Sequence, residues 1–149
     1  MDISRDIQNK NLGAEGERIA AAYLESLGMV ILERNWHAGR KGELDIVAMS
    51  SEQNNSLLPV PLRPSVCLRI VEVKTRKEPL EGEAWEAVNL LKQKHLIQAA
   101  KIYLSSRSFK EKALHYDEIY FDVITLVFNA EGTSYKLEYI PDAFRALYL

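Results

Sequence analysis

The chain has 149 residues, of which 47% are hydrophobic and 27% are charged, a composition typical of one globular domain and not of a disordered segment. Nineteen Lys and Arg residues stand against 21 Asp and Glu, so the net charge of −2 argues against a passive nucleic-acid binder with an overall basic surface. Cys67 is the only cysteine, which excludes an internal disulfide and a zinc site built from several thiolates.

No targeting or membrane segment is visible in the sequence. The first residues carry mixed charge without the apolar stretch of a secretory signal, and the longest aliphatic run, residues 123–128, is too short to span a bilayer. We therefore expect a cytoplasmic protein that does not contact the membrane, folded as a single domain over residues 1–149.

The first predicted element is a helix over residues 12–27 that ends at Gly28, a residue suited to the position after a helix. Its apolar side chains share one arc of the helical wheel. Glu17 lies at the edge of this arc, beside Ala20, Ala21 and Leu24, and is therefore set apart from the solvent-facing charges of the same helix.

Five strands and a second helix follow in the sequence. The strands are predicted at residues 29–34, 43–49, 67–75, 119–128 and 135–140, and the helix at residues 89–104 begins with Asn89 as its N-cap. Residues 50–65 contain polar residues and three prolines, which predict an exposed loop. The order αβββαββ predicts an α/β domain with a mixed central sheet flanked by helices.

The third strand carries the first candidate functional pair, Glu72 and Lys74, in the segment VEVKTR at residues 71–76. Side chains alternate across a strand, so Glu72 and Lys74 share a face with Leu68 and Ile70, and that face changes from apolar to charged. This arrangement is typical of a strand that leaves a core and enters a site. It also fits an amphipathic strand end with a surface ion pair of little energetic value.

The second strand carries Asp45 in the segment GELD at residues 42–45. Strict alternation places Leu44, Ile46 and Ala48 on one face and Asp45 on the other. Aspartate is rarely buried without a partner, and a cation is one suitable partner. The alternative is that the strand begins after Asp45, which then lies at a solvated end.

Three carboxylates and one ammonium group form an inventory suited to metal-assisted phosphodiester hydrolysis. Magnesium prefers oxygen ligands and retains waters, so one or two carboxylates can hold it. A lysine can stabilise the charge that develops on the phosphoryl group. The inventory consists of Glu17, Asp45, Glu72 and Lys74.

These motifs resemble the PD-(D/E)XK nuclease signature, in a variant with GELD on one strand and VEVK on the next. More specifically, the chain resembles the bacterial YraN family over most of its length. The matching segments are residues 13–17, 21–24, 35–36, 42–45, 71–76, 92–93, 100–104 and 121–123. That family is similar to archaeal Holliday-junction resolvases and to the restriction-endonuclease-like fold.

The resemblance implies a single PD-(D/E)XK nuclease-like domain that cleaves DNA, of branched or single-stranded structure, with Mg²⁺ or Mn²⁺ as cofactor. It implies that Asp45, Glu72 and Glu17 bind the metal and that Lys74 acts on the reacting phosphate or on water. Because resolvases act as dimers on two-fold junctions, it also implies a homodimer. The alternative function is a non-catalytic nucleic-acid-binding or adaptor module on the same fold.

Three basic residues are candidates for contact with nucleic-acid phosphates. Arg76 and Lys77 follow the Glu72–Lys74 strand, and Lys92 opens the second helix. A solvated surface role is the alternative for each. The chain departs from the family pattern in the long 50–65 loop and in residues 37–41, and neither segment includes a candidate site residue.

Overall fold

The computed structural model describes residues 3–52, 64–80 and 88–146, with side chains from residue 11 onward. Its elements are α1 (Ile3–Ser26), β1 (Val30–His37), β2 (Glu43–Glu52), β3 (Ser65–Lys77), α2 (Leu90–Ser105), α3 (Arg107–Lys110), β4 (Glu118–Phe128) and β5 (Tyr135–Phe144). None of the helices in these ranges is long and apolar enough to cross a membrane.

The five strands form one mixed sheet in the order β1-β2-β3-β4-β5. The β1–β2, β2–β3 and β4–β5 pairs are antiparallel, and β3 and β4 are parallel. A parallel pair needs a crossover connection, and α2 lies in the one between β3 and β4. The predicted α/β architecture is therefore confirmed, and the strands that carry Asp45 and Glu72 are neighbours.

A separate hydrophobic cluster lies on each face of the sheet. One joins α1 to the sheet through Ile19, Ala20, Ala21, Leu24, Ile46, Ala48, Val71, Ile124, Leu126 and Phe128. The other joins α2 and α3 to the opposite face through Leu44, Val47, Leu68, Ile70, Leu96, Ala99, Ala100, Tyr103, Phe109 and Phe121. Apolar burial on both faces fixes the three helices relative to the central strands.

Several predicted element boundaries were wrong. Helix α1 begins at Ile3, before its apolar periodicity starts, so hydrophobic pattern alone did not reveal its first turns. The predicted 50–65 loop is shorter, because Ser50–Cys67, Ser51–Val66 and Glu52–Ser65 are strand pairs; residues 53–63 lie outside the described residues. Strand β5 continues past residue 140 to Phe144, since the edge of a sheet tolerates its proline.

A buried polar network crosses four of the strands. Arg69 Nη1 lies 3.1 and 3.0 Å from the two carboxylate oxygens of Asp122, and Arg69 Nε donates to the Ser50 hydroxyl at 2.8 Å. Asp122 also accepts hydrogen bonds from the Tyr139 hydroxyl at 2.5 Å and from the Asp142 amide at 2.8 Å. The Asp122 carboxylate therefore has the several donors that a buried charge requires.

Helix α1 packs very closely against β3 at Gly16. A Cβ atom at this position would lie 2.1 Å from the Thr75 hydroxyl oxygen and 3.2 Å from the Thr75 Cβ. Only glycine avoids this overlap without movement of the helix or of the Thr75 side chain. The contact sets the height of the neighbouring Glu17 above the sheet.

We predict that Gly16→Ala destabilises the protein, because overpacking against Thr75 outweighs the higher helix propensity of alanine. The expected loss in the free energy of unfolding is about 1 kcal/mol, measured by urea denaturation. Gly13→Ala is the matched control: nothing lies within 4 Å of its new Cβ, so it should stabilise by up to about 1 kcal/mol. A Thr75→Ala background removes the hydroxyl oxygen at 2.1 Å and leaves the Cβ at 3.2 Å, so Gly16→Ala should destabilise much less there; an undiminished destabilisation would contradict the proposed overlap.

Candidate functional site

Asp45 lies where β2 and β3 stop pairing through their main chains. The paired residues run from Glu52–Ser65 to Ile46–Val71. Beyond this last pair, the Val73 amide donates to the Asp45 carboxyl oxygen Oδ2 at 2.8 Å. Beyond the last main-chain pair, a hydrogen bond to a side-chain acceptor therefore still links the two strands. This bond holds Asp45, which is 9% exposed, at the point where the strands separate.

The predicted alternation of residues 44–48 fails at Asp45. Leu44 packs in the α2 cluster, whereas Ile46 and Ala48 pack in the α1 cluster on the other face of the sheet. Leu44 pairs with Trp36 of β1, and β2 pairs with β3 only from Ile46 onward. The strict period of two therefore breaks at the point where the β2–β3 ladder ends.

Glu72 is the most deeply buried carboxylate of the predicted set, with 4% of its surface exposed. Its Oε1 atom lies 3.5 Å from Lys74 Nζ and 3.1 Å from Lys92 Nζ. Lys92 stands in the first turn of α2, where its amide donates to the Asn89 side chain at 2.9 Å and the predicted N-cap is confirmed. Two ammonium groups from different elements therefore stabilise the buried charge.

The Asp45 and Glu72 carboxyl groups are close enough to share a hydrogen bond when Asp45 is protonated. Burial raises the pKa of Asp45 to about 8, and the negative charges of Glu72 and Glu17 act in the same direction. The Val73 amide acts in the opposite direction, because it donates to the ionised form. The described structure thus holds two carboxyl groups together at an appreciable electrostatic cost.

The charge of Glu17 interacts with the carboxyl groups of Asp45 and Glu72. Its half-buried carboxyl has a raised pKa, first because of burial and then because of the charge of Glu43, with a smaller contribution from Glu72. The Arg34 guanidinium partly offsets these effects. Arg34 and Glu43 therefore belong to the surroundings of the site, although in the sequence both resemble ordinary solvated charges at a strand end.

The carboxyl oxygens of the site suit a hard cation, but they do not form a complete set of metal ligands. Within residues 11–52, 64–80 and 88–146, no three His, Cys, Asp or Glu side chains are arranged to hold a metal ion. The structure brings Asp45 and Glu72 together, and Glu17 does not complete a three-ligand group with them. Magnesium needs only one or two carboxylates and completes its shell with water, so the chemistry of this donor pair fits the ion.

The three predicted phosphate contacts occupy different positions relative to the site. Lys92 lies within the site, where its described partner is the Glu72 carboxylate. Arg76 and Lys77 are exposed at the end of β3, beyond Lys74. The pairing of Lys92 with Glu72 was not predicted, because residues 20 positions apart on a helix and a strand show no pattern that links them.

We predict that the stability of the metal-free protein falls between about pH 4 and pH 8. In this window the unfolded chain releases the Asp45 proton, whose ordinary pKa is 3.8, while the folded protein retains it up to about pH 8. The slope should be at most about 1.4 kcal/mol per pH unit for this group and should vanish above pH 8. Urea denaturation in EDTA at several pH values measures it.

Asp45→Asn should flatten this dependence, because asparagine resembles the protonated acid and can still accept from Val73. The variant should equal the wild type near pH 4 and exceed its stability at pH 8. Glu15→Gln is the control: the pKa of this exposed carboxyl is lowered by its hydrogen bond to Arg18, so its removal should leave the decline above pH 4 in place. A lower stability of Asp45→Asn at pH 8 would show that Asp45 acts as a structural anion.

Comparison with known proteins gives one consistent family. The model of the uncharacterised protein family UPF0102 matches residues 16–126, a range that includes all four predicted site residues. A UPF0102 protein of Phocaeicola vulgatus is 39% identical over 137 residues, covering 92% of this chain and 94% of the relative. UPF0102 proteins of Clostridium perfringens strain 13 and Dictyoglomus turgidum are 34% and 33% identical, covering 92% and 93% of this chain and 96% and 100% of those relatives. The chain therefore belongs to the UPF0102 family, the YraN family that its motifs resemble.

Proposed function

We propose that the chain is a DNA-cleaving phosphodiester hydrolase that uses Mg²⁺ or Mn²⁺ and has a restriction-endonuclease-like PD-(D/E)XK core. The observation that carries the proposal is the meeting of two buried carboxyl groups, those of Asp45 and Glu72, on adjacent strands, with Lys74 two residues further along β3. The order of these motifs, which resembles that of the nuclease signature, supports the same function.

Asp45 and Glu72 are the residues that would hold the cation. They come from neighbouring strands whose separation is fixed by the Asp45–Val73 hydrogen bond, so both donors are positioned before any ligand arrives. Glu17 lies within electrostatic range of both and would act through a water molecule. A bound divalent cation polarises a phosphoryl oxygen and lowers the pKa of bound water.

Lys74 and Lys92 supply the positive charge of the proposed site. Lys74 Nζ lies 3.5 Å from Glu72 and can donate a hydrogen bond to a phosphate that the cation would hold beside that carboxylate. Its charge would be most valuable when negative charge increases on the phosphoryl oxygens in the transition state. Lys92, at 3.1 Å from the same oxygen atom, orients Glu72 and limits its rotation.

We predict that the purified protein cleaves DNA with Mg²⁺ or Mn²⁺ and does not cleave it in EDTA. Four-way junctions, single strands and duplexes of matched sequence form the test panel, because resemblance to the resolvases points to branched or single-stranded substrates. Lys74→Ala should lower the cleavage rate by about 10²–10³-fold while it retains DNA binding. Lys101→Ala, which removes the same charge from an exposed position on α2, should cleave at the wild-type rate.

Metal binding gives a second readout that does not depend on finding the right DNA. Mg²⁺ should raise the Tm of the wild type in proportion to the logarithm of its concentration, and Glu72→Gln should abolish this increase. Equal cleavage by the wild type and Lys74→Ala would identify a contaminating nuclease. DNA binding without metal dependence or cleavage on any substrate would instead support the non-catalytic adaptor function.

A further inference from the structure

An open pocket of about 300 Å³ lies beside the candidate site, between the turn that joins β1 to β2 and the first turns of α2. Most of its polar lining is basic. The lining residues are Arg40, Lys41, Gly42, Glu43, Lys92, His95 and Leu96. We refer to this set as the hairpin pocket.

The hairpin pocket carries positive charge that the described protein does not neutralise. Its Glu43 carboxylate lies 3.5 Å from His37 Nδ1, and its Lys92 ammonium lies 3.1 Å from the Glu72 carboxylate. Within the described ranges, neither Arg40 nor Lys41 has a carboxylate partner. Two cationic side chains at the mouth of a pocket therefore remain available to an anion.

The backbone holds the turn in a fixed position against α2. The Ala38 amide donates to the Gly42 carbonyl at 2.9 Å, and the Lys41 amide donates to the Ala38 carbonyl at 3.0 Å. Gly42 has φ +146°, and a Cβ at this position would lie 2.9 Å from the Ala99 Cβ. Glycine thus allows the turn to approach α2 closely enough to form one wall of the pocket.

The hairpin pocket adjoins the candidate catalytic site. Lys92 lines the pocket and also contacts Glu72, and Glu43 precedes Asp45 by only two residues on β2. A volume of about 300 Å³ lies at the lower end of the range for small-ligand sites, so it suits a single phosphate with part of its sugar. A nucleic-acid strand that places one phosphate at Glu72 could therefore extend into this pocket.

We propose that the hairpin pocket binds a phosphate group of the nucleic-acid strand next to the one at Asp45 and Glu72, with Arg40 and Lys41 as its principal ligands. The proposal rests on the proposed function and specifies its substrate as a strand that enters between the β1–β2 turn and α2. The phosphate is either an internal phosphodiester or a terminal 5′-phosphate, since both offer oxygen acceptors to the same cations.

The test measures binding in EDTA, so that it does not depend on cleavage. Fluorescence anisotropy follows 3′-labelled oligothymidine that carries either a 5′-phosphate or a 5′-hydroxyl. Arg40→Ala/Lys41→Ala should weaken binding about tenfold, and the slope of log affinity against log salt should become shallower by about 0.7 for each phosphate that is no longer neutralised. Lys110→Ala/Lys136→Ala removes the same charge from exposed positions elsewhere and should change the affinity by less than about twofold.

The two oligonucleotides distinguish the sources of the phosphate. If the 5′-phosphate strengthens binding to the wild type and this gain disappears in Arg40→Ala/Lys41→Ala, the pocket takes a strand end. If both oligonucleotides lose affinity equally, it takes an internal phosphodiester. Arg40→Lys/Lys41→Arg, which keeps both charges, should retain most of the affinity in either case and shows that the weaker binding does not arise from misfolding of the turn.

Equal binding by the pocket variant and the surface variant would overturn the proposal. The result for the phosphate site can be distinguished from the result for the proposed hydrolase activity. Loss of affinity in the pocket variant without cleavage on any substrate would support the phosphate site and reject the hydrolase. Cleavage that requires Asp45 and Lys74, combined with unchanged affinity and KM in Arg40→Ala/Lys41→Ala, would reject the phosphate site alone.

Discussion

The hydrogen bond from the Val73 amide to the Asp45 carboxyl forms where the main-chain pairing of β2 and β3 ends. Because a side chain acts as the acceptor there, the two strands can separate and still remain fixed relative to each other. Glu72, the residue before Val73, then presents its carboxyl beside that of Asp45. The pKa of Asp45 is raised first by its burial and then by the charge of Glu72, and apolar clusters on both faces of the sheet hold the two strands together against this cost.

The charged groups around this pair come from elements on opposite sides of the sheet. Glu17 comes from α1, whose distance from β3 is set by the Gly16–Thr75 contact, and Lys92 comes from α2. A movement of either helix would change the field at Asp45 and Glu72 without altering the strands that carry them. The two helices must therefore pack rigidly if the charges around Asp45 and Glu72 are to keep defined positions.

The parts of the structure that follow from local periodicity could be predicted from the sequence. The strand with Leu68, Ile70 and Glu72, and the helix that begins after Asn89, both lie where their patterns indicated. Features that depend on tertiary contacts could not be predicted. Leu44 changes faces where the β2–β3 ladder ends, and Arg34 approaches Glu17 only in the folded hairpin.

The buried network of Arg69 and Asp122 was also missed, because each charge alone resembles a surface residue, and only the parallel pairing of β3 and β4 brings them together. That pairing joins segments distant in sequence, so the chain loses much conformational entropy before the contact forms. The first three strands, in contrast, are linked by two antiparallel pairings of successive segments. A nascent chain with only these strands would carry Asp45 and Glu72 but not Lys92. Docking of the crossover helix is thus also the folding step that supplies the second counter-charge of Glu72.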